Sequence, residues 1–143
     1  MKTVLPSRQL KIALTADAIV GATIALLHLA LPSWLASLLM LPAALLLGTG
    51  LFLAGYAVML VLMARSGRLP RALVQFVVIG NVGWAGACFA LMLGDAVAPN
   101  PLGLGYLVIH MVSVLAFAAL EFAGLRSSAL QQVQDRARVS AYL

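Results

Sequence analysis

The stretch IALTADAIVGATIALLHLAL, residues Ile12–Leu31, is an apolar run that contains one acid, Asp17, and one histidine, His28. About 20 residues of α-helix cross the hydrocarbon core of a bilayer, so this run is long enough to span a membrane. Asp17 and His28 are eleven positions apart. Because an α-helix turns by about 100° per residue, both side chains are predicted to lie on one face of a transmembrane helix.

The composition of the whole chain indicates the same class of protein. Of 143 residues, 64% are hydrophobic and only 9% are charged, and a soluble domain of that composition would expose more apolar surface than water tolerates. The length accommodates four helices of about 20 residues joined by short connections. The predicted fold class is therefore all-α: residues 1–143 form a single membrane domain, a four-transmembrane-helix bundle with short loops.

Segments rich in Pro, Gly and Ser divide the chain into its predicted spans. The first is read as an uncleaved helix behind a basic lead-in. In the connection that follows, Trp34 is expected at the membrane interface, and the segment SWLASLLML can form a short interfacial helix. After Gly124 the chain is polar, and residues 126–143 are predicted to form a cytoplasmic tail that is helical or frayed at the surface. The predicted spans are residues 12–31, 41–63, 72–93 and 102–122.

The distribution of basic residues predicts the orientation of the bundle. All nine Lys and Arg residues fall in the amino terminus, in the loop ARSGRLPR at 64–71 or in the carboxyl-terminal tail. Four spans place these three segments on one side of the membrane, and the positive-inside rule makes that side cytoplasmic, so both termini are expected inside. We expect the basic residues to contact anionic lipids of the bilayer and not nucleic acid.

The fourth span repeats the pattern of the first. His110 and Glu121 are also eleven positions apart, so the first and fourth helices are each predicted to carry a histidine and an acid on one face. Because the two helices run in opposite directions, the histidines should lie at one depth and the acids at another. A charge or an unpaired polar group in hydrocarbon costs several kcal/mol, so each such side chain needs a partner or a function.

Structural roles are the simpler interpretations of these polar side chains. Glu121 lies near the end of its span and is expected either to extend to the membrane interface or to pair with Arg126, a topological or salt-bridge role. Asp17 can pair with Lys11 or accept hydrogen bonds from another span, and a structural role is slightly favoured for it. The two histidines are expected to hydrogen-bond to backbone carbonyls or to the head-group region.

The third span contains a second polar cluster, GNVGWAGAC. Gly80, Gly83 and Gly86 recur at three-residue steps and predict a seam of close helix packing, with Asn81 hydrogen-bonding across it. The indole of Trp84 lies too deep for the interface and needs an acceptor, and Asn81 is one turn away. The same residues can alternatively line a substrate cavity.

The motifs LTADA, LP…LP, the N-x-x-W of Asn81–Trp84 and LEFAGLR at Leu120–Arg126 resemble those of uncharacterised small bacterial four-helix integral membrane proteins. The layout is also distantly similar to that of DoxX-like membrane proteins. The resemblance implies a compact bundle in a bacterial inner membrane. In the small multidrug transporters an acid of the first span is the proton and substrate site, and Asp17 matches it in placement but without the surrounding pattern.

The favoured functional hypothesis is a non-enzymatic membrane protein, either an accessory subunit or a homo-oligomer held by glycine-rich helix faces. No nucleotide-binding, zinc-protease or serine-hydrolase motif occurs, so no catalytic residue and no metal site is predicted. The second hypothesis is a proton-coupled carrier of small amphipathic compounds, with Asp17 as the switchable carboxylate, Glu121 as a proton relay, and Asn81 and Trp84 as cavity walls.

The third hypothesis is a b-type haem protein. Histidine is a common axial ligand of haem iron, and the chain contains two histidines, His28 and His110. This hypothesis requires the two imidazoles to face each other across the bundle. Without haem, no cofactor is expected.

Overall fold

Four long helices form most of the protein in a computed structural model that describes residues 3–141, with side chains described up to residue 134. Their length and composition confirm the prediction of four apolar helices able to cross a membrane. The ends of the predicted lead-in and tail, residues 1–2 and 142–143, lie outside the described residues. The elements, in chain order, are β1 (Thr3–Val4), α1 (Arg8–Ala30), α2 (Pro32–Leu39), α3 (Ala43–Arg65), β2 (Leu69–Pro70), α4 (Arg71–Leu93) and α5 (Pro101–Ala141).

Local capping explains why the helices differ from the predicted spans at their starts. The Ser7 hydroxyl accepts a hydrogen bond from the Leu10 amide at 3.2 Å, so α1 begins at Arg8 and not at residue 12. Helices α3 and α4 begin directly after Pro42 and Pro70. Proline fixes its own φ angle and favours an extended conformation in the residue before it. The residues before each proline are therefore not part of the helix that follows.

Helix α5 continues well past the predicted end of the fourth span at residue 122. Gly124 does not interrupt it, and the helix runs to Ala141. At Gly124 the backbone of α5 lies against α1, and an added Cβ atom would be 2.7 Å from the Leu10 Cα atom. Glycine is therefore required at this position for close helix approach, and the predicted tail is in part an extension of the last helix.

The predicted short helix between the first two spans is present as α2. It starts with Pro32 at its first turn and ends at Met40, whose φ of 55° lies in the left-handed region. The side chain of Asn100 connects α2 to the last helix: its amide donates to the Leu38 carbonyl, and its oxygen accepts from the Gly103 amide, each at 2.9 Å. Asn100 thus holds the connecting loops together at one end of the bundle.

A two-stranded antiparallel ladder is the one feature of the described fold that the all-α prediction does not include. Thr3 pairs with Pro70, and Val4 pairs with Leu69. The ladder joins the segment ahead of α1 to the loop between α3 and α4. We call this end of the bundle, which contains the start of α1 and the α3–α4 loop, the terminal end, and the end that contains α2 the far end.

The long helices pack in the order α3, α1, α5, α4. Helices α3 and α4 are joined through the terminal-end loop and are not packed against each other along their length. Buried apolar clusters occupy both ends. The terminal-end cluster comprises Val4, Leu10, Leu14, Ala18, Leu60, Met63, Leu69, Val74, Val77 and Leu125. The far-end cluster comprises Leu35, Leu39, Leu41 and Leu46.

The packing seam predicted along α4 is wrong for the single chain. A Cβ atom added at Gly80, Gly83 or Gly86 would meet no atom within 4 Å. These glycines point into open space because α4 contacts only α5 closely among the long helices. The close approaches occur elsewhere, at Gly124 and at Gly50, where an added Cβ would be 2.8 Å from His28 Cβ.

The Gly124→Ala substitution is expected to lower the free energy of unfolding by about 1–3 kcal/mol, because the new methyl group collides with the backbone of α1. The measurement is equilibrium unfolding in mixed detergent micelles, followed by circular dichroism. Gly86→Ala is the matched control, since its methyl group meets no neighbour. Equal stability of the two variants would contradict the close contact at Gly124.

Candidate functional site

Two buried acids from opposite ends of the chain meet at one side-chain amide. Asn81 Nδ2 on α4 donates to Asp17 Oδ2 on α1 at 3.0 Å and to Glu121 Oε2 on α5 at 3.1 Å. The Tyr56 hydroxyl on α3 lies 3.3 Å from both Asp17 Oδ2 and Asn81 Oδ1, in position to donate to either. All four long helices therefore contribute to this cluster, which we call the acid cluster.

The environment of the acid cluster is apolar and its partners are uncharged. Asp17 is 4% exposed and Glu121 is completely buried. Among the described residues, the donors to the two carboxyl groups are the neutral side chains of Asn81 and Tyr56, and Glu121 Oε1 is buried without a partner. The acid oxygens share one nitrogen and so lie within about 6 Å of each other, a separation at which two negative charges repel strongly in a low-dielectric interior.

The predicted ion pair between Glu121 and Arg126 is wrong. Five positions separate these residues, whereas helical ion pairs need a separation of three or four. Glu121 shares the buried face of α5 with Ala118 and Leu125. The Arg126 guanidinium instead lies 5.6 Å from the centroid of the Phe122 ring. For Asp17, the structure shows the second of the two predicted arrangements, hydrogen bonds from other spans.

A second polar cluster, the histidine cluster, lies nearer the far end. His28 Nδ1 is 2.9 Å from Thr49 Oγ1, and His28 Nε2 is 2.5 Å from the Tyr106 hydroxyl. Because Thr49 donates its hydroxyl proton to the Leu46 carbonyl, neutral His28 must carry its proton on Nδ1 and accept from Tyr106 at Nε2. His110 Nδ1 donates to the Tyr106 carbonyl at 3.1 Å.

The histidines face each other but do not form a haem site. Their ring centroids are 6.4 Å apart and the rings are nearly parallel, at 17°. Haem iron needs one unprotonated ring nitrogen from each ligand, and both nitrogens of His28 are engaged with Thr49 and Tyr106. His110 Nε2 is buried without a partner. Within the part of the chain that the structure describes, no three His, Cys, Asp or Glu side chains are grouped to hold a metal ion.

A cavity of about 610 Å³ lies between the two clusters. All four long helices line it, and its polar wall includes Asp17, Tyr56 and Asn81 from the acid cluster and Tyr106 and His110 from the histidine cluster. Most of the remaining wall is aliphatic or aromatic. Small-molecule sites have this character, an apolar hollow with a few convergent polar groups. Sequence reasoning placed these acids and histidines in pairs, and one residue of each pair, Asp17 of the first span and His110 of the fourth, lines the cavity.

The predicted acceptor for Trp84 is not used. Among the described residues no hydrogen bond joins Trp84 to Asn81, whose Oδ1 is within reach of the Tyr56 hydroxyl instead. Trp84 stacks on Phe52 of α3, with ring centroids 5.5 Å apart and an angle of 11°. Both rings line the cavity, so the prediction of Trp84 as a cavity wall agrees with its position.

Three residues of these clusters received no site role from the sequence. Tyr56 and Thr49 lie on one face of the second span and resemble ordinary packing residues, and Tyr106 carries no motif. The available signal for Tyr106 is its position one helical turn before His110, which brings the two side chains together. For Tyr56, only the packing of α3 on α1 shows that its hydroxyl reaches Asp17.

Removal of the shared amide is expected to destabilise the bundle. Asn81→Leu leaves both buried acids without their common donor and should lower the free energy of unfolding by about 1–3 kcal/mol. Gln75→Leu on the same helix is the control, because Gln75 is exposed and the substitution is chemically equivalent. The measurement is the free energy of unfolding of both variants in detergent. An equal loss of stability in the two variants would contradict the proposed role of Asn81 as the donor to both acids.

No protein-family model, curated protein or solved structure matches the chain. The similarity to DoxX-like and other small four-helix membrane proteins therefore stays a prediction from sequence motifs. The function of the protein is inferred below from the side chains that meet inside the bundle.

Proposed function

We propose that the protein binds and carries small amphipathic compounds within the membrane and couples their movement to protons at Asp17. The observation that carries this proposal is the position of Asp17, which lines a cavity of about 610 Å³ and shares a single amide donor with a second buried acid. Ionisable groups inside membrane proteins typically serve ion or substrate pathways. No enzymatic activity is proposed.

The groups around Asp17 define how the coupling works. Tyr56 approaches from α3, Asn81 from α4 and Glu121 from α5, and none of them supplies a positive charge. Either a proton or a cationic ligand relieves the repulsion between the two acids. One of the two is sufficient, so both are not bound at once. Proton and ligand therefore compete for Asp17. Glu121, which is buried behind Asn81 and does not line the cavity, relays the proton that the ligand displaces from Asp17 and releases it towards the cytoplasm.

The proposed setting is a bacterial inner membrane with both termini in the cytoplasm. The terminal end of the bundle carries Arg8, Lys11, Arg65, Arg68 and Arg71, whereas the two far-end loops contain no Lys or Arg. The positive-inside rule supports this orientation. Anionic lipids of the cytoplasmic leaflet are the proposed contacts of the basic side chains.

An accessory subunit or a homo-oligomer is the second candidate function. The open space beside Gly83 and Gly86 on α4 supports it, because small residues allow another helix to approach closely in a membrane. Native mass spectrometry from gentle detergents distinguishes this candidate. A defined oligomer or a co-purified subunit supports it, and a monomer in every detergent contradicts it.

Substitution of Asp17 tests the proposed function directly. Asp17→Asn is expected to remove the pH dependence of ligand binding or uptake in reconstituted vesicles, because the amide cannot exchange a proton. The measurement is uptake of a panel of small amphipathic compounds between pH 5.5 and 8.5. Asp95→Asn is the matched control: Asp95 is exposed in a far-end loop, and its variant should behave like the unmodified protein. An unchanged pH profile in Asp17→Asn would refute the proposal.

A further inference from the structure

We infer that the ligand is a membrane-dissolved organic cation, a protonated amine on an aromatic or alkyl body, and that it reaches the cavity from the bilayer through the gap between α3 and α4. This inference rests on the proposed function and adds the chemical class of the ligand and its route. Two sets of observations carry it, the closure of the bundle at both ends and the polarity of the cavity wall.

Packed side chains close the cavity toward both ends of the bundle. Tyr56 and Met59 line the cavity and also contact the terminal-end cluster, beyond which lies the β1–β2 ladder. Tyr106 lines the cavity on the other side and contacts the far-end cluster, which α2 covers. Packed apolar side chains therefore lie between the cavity and each end of the bundle in the part of the chain that the structure describes.

The side of the bundle between α3 and α4 is open. Three pairs of long helices pack on each other, α3 with α1, α1 with α5 and α5 with α4. Helices α3 and α4 do not pack along their length, so the bundle is open between them. Phe76 of α4 lines the cavity and is still 61% exposed. Gly80, on the same helix, lines the cavity with no atom within 4 Å of an added Cβ. This surface faces the hydrocarbon of the bilayer when the four helices span it.

One aromatic pair stands across the gap. Phe52 of α3 and Trp84 of α4 stack at 5.5 Å, and Phe52 is 58% exposed. Exposed side chains change rotamer on the picosecond to nanosecond scale, so this pair opens without a movement of the helices. The Phe52–Trp84 pair therefore covers the access route without blocking it permanently.

The cavity wall favours a positively charged ligand. Asp17 lines the cavity, and the hydrogen bonds from Tyr56 and Asn81 are both made at its Oδ2 atom. Glu121 adds a second acid behind it. Six Phe, Tyr and Trp rings line the hollow, those of Phe52, Tyr56, Phe76, Trp84, Tyr106 and Phe117. An ammonium group gains a charge-assisted hydrogen bond from the carboxylate and cation–π contact from the rings.

A matched series of naphthyl compounds tests the ligand class. The compounds are 1-naphthylmethylamine, 1-naphthylmethanol and 1-naphthylacetic acid, which share one ring system and differ in charge. Binding is measured at pH 7.5 by equilibrium dialysis against lipid nanodiscs that hold the protein, with empty nanodiscs as the baseline. The amine is expected to bind about tenfold more tightly than the alcohol, the equivalent of one charge-assisted hydrogen bond, and the acid should bind most weakly.

The same series separates failure of this inference from failure of the proposed function. Binding that depends on pH and on Asp17 but favours the alcohol or the acid overturns the ligand class alone. Binding of the amine that Asp17→Asn leaves unchanged overturns both proposals, and so does the absence of binding above the empty nanodiscs. In Asp17→Asn the amine is expected to lose its advantage over the alcohol.

Two glycines of α4 provide a test that the ligand occupies this cavity. Gly80 lines the cavity and Gly83 does not, and neither substitution introduces a backbone collision. Gly80→Leu is expected to weaken amine binding at least about tenfold by filling the hollow, whereas Gly83→Leu should leave it unchanged. Equal affinities of the two variants place the ligand elsewhere and overturn the inference.

The route is tested by a cleavable bridge across the gap. In a Cys88→Ala background, Phe52→Cys and Trp84→Cys are linked with a short disulfide-forming bis-methanethiosulfonate reagent, and the rate of amine association is followed by stopped-flow naphthalene fluorescence. The bridge is expected to slow the association of the amine at least about tenfold. Association rates among variants of one binding site typically differ by about one to three orders of magnitude. Reduction should restore the rate. Single-cysteine variants treated alike are the controls, and equal rates with and without the bridge overturn the route.

Discussion

The structure depends on how one side-chain amide is divided between two acids. The bilayer interior provides no water, so each buried carboxyl group must find its donors within the protein. Asn81 donates one hydrogen to Asp17 and one to Glu121, and the Tyr56 hydroxyl reaches the same group from α3. This one constraint fixes the relative depth and rotation of α1, α4 and α5.

The acid cluster holds two carboxyl groups with neutral donors, and it leaves Glu121 Oε1 buried without a partner. An Arg or Lys beside the acids would fix them as a structural ion pair, and the neutral donors found instead are the basis of the proposed exchange of a proton for a cationic ligand. The histidine cluster is arranged differently. Tyr106 occupies His28 through its hydroxyl and His110 through its carbonyl, which positions both imidazoles and removes His28 as a ligand for iron.

The open side of the bundle follows from the same packing. The close approaches are made at three glycines: Gly103 lies against the backbone of α2 at Leu39, Gly124 lies against the backbone of α1 at Leu10, and Gly50 lies against side chains of α1. Helix α4 is attached through α5 and the polar cluster, and its own glycines are not used in this way. The cavity, which all four long helices line, therefore adjoins the side of the bundle where α3 and α4 are not packed on each other.

The sequence by itself determined that the chain has four long apolar helices. Apolar runs of spanning length, and the prolines and capping residues between them, act on neighbouring residues only. The eleven-residue spacings likewise predicted which polar side chains share a helix face. Only the tertiary structure decided the partners of those side chains. Glu121 accepts a hydrogen bond from Asn81 and does not pair with Arg126. Tyr56 contacts Asp17 in the acid cluster, and Tyr106 contacts His28 in the histidine cluster. Contacts between helices depend on how each helix is rotated and how deep it lies relative to the others. Residues that are far apart in the chain determine both.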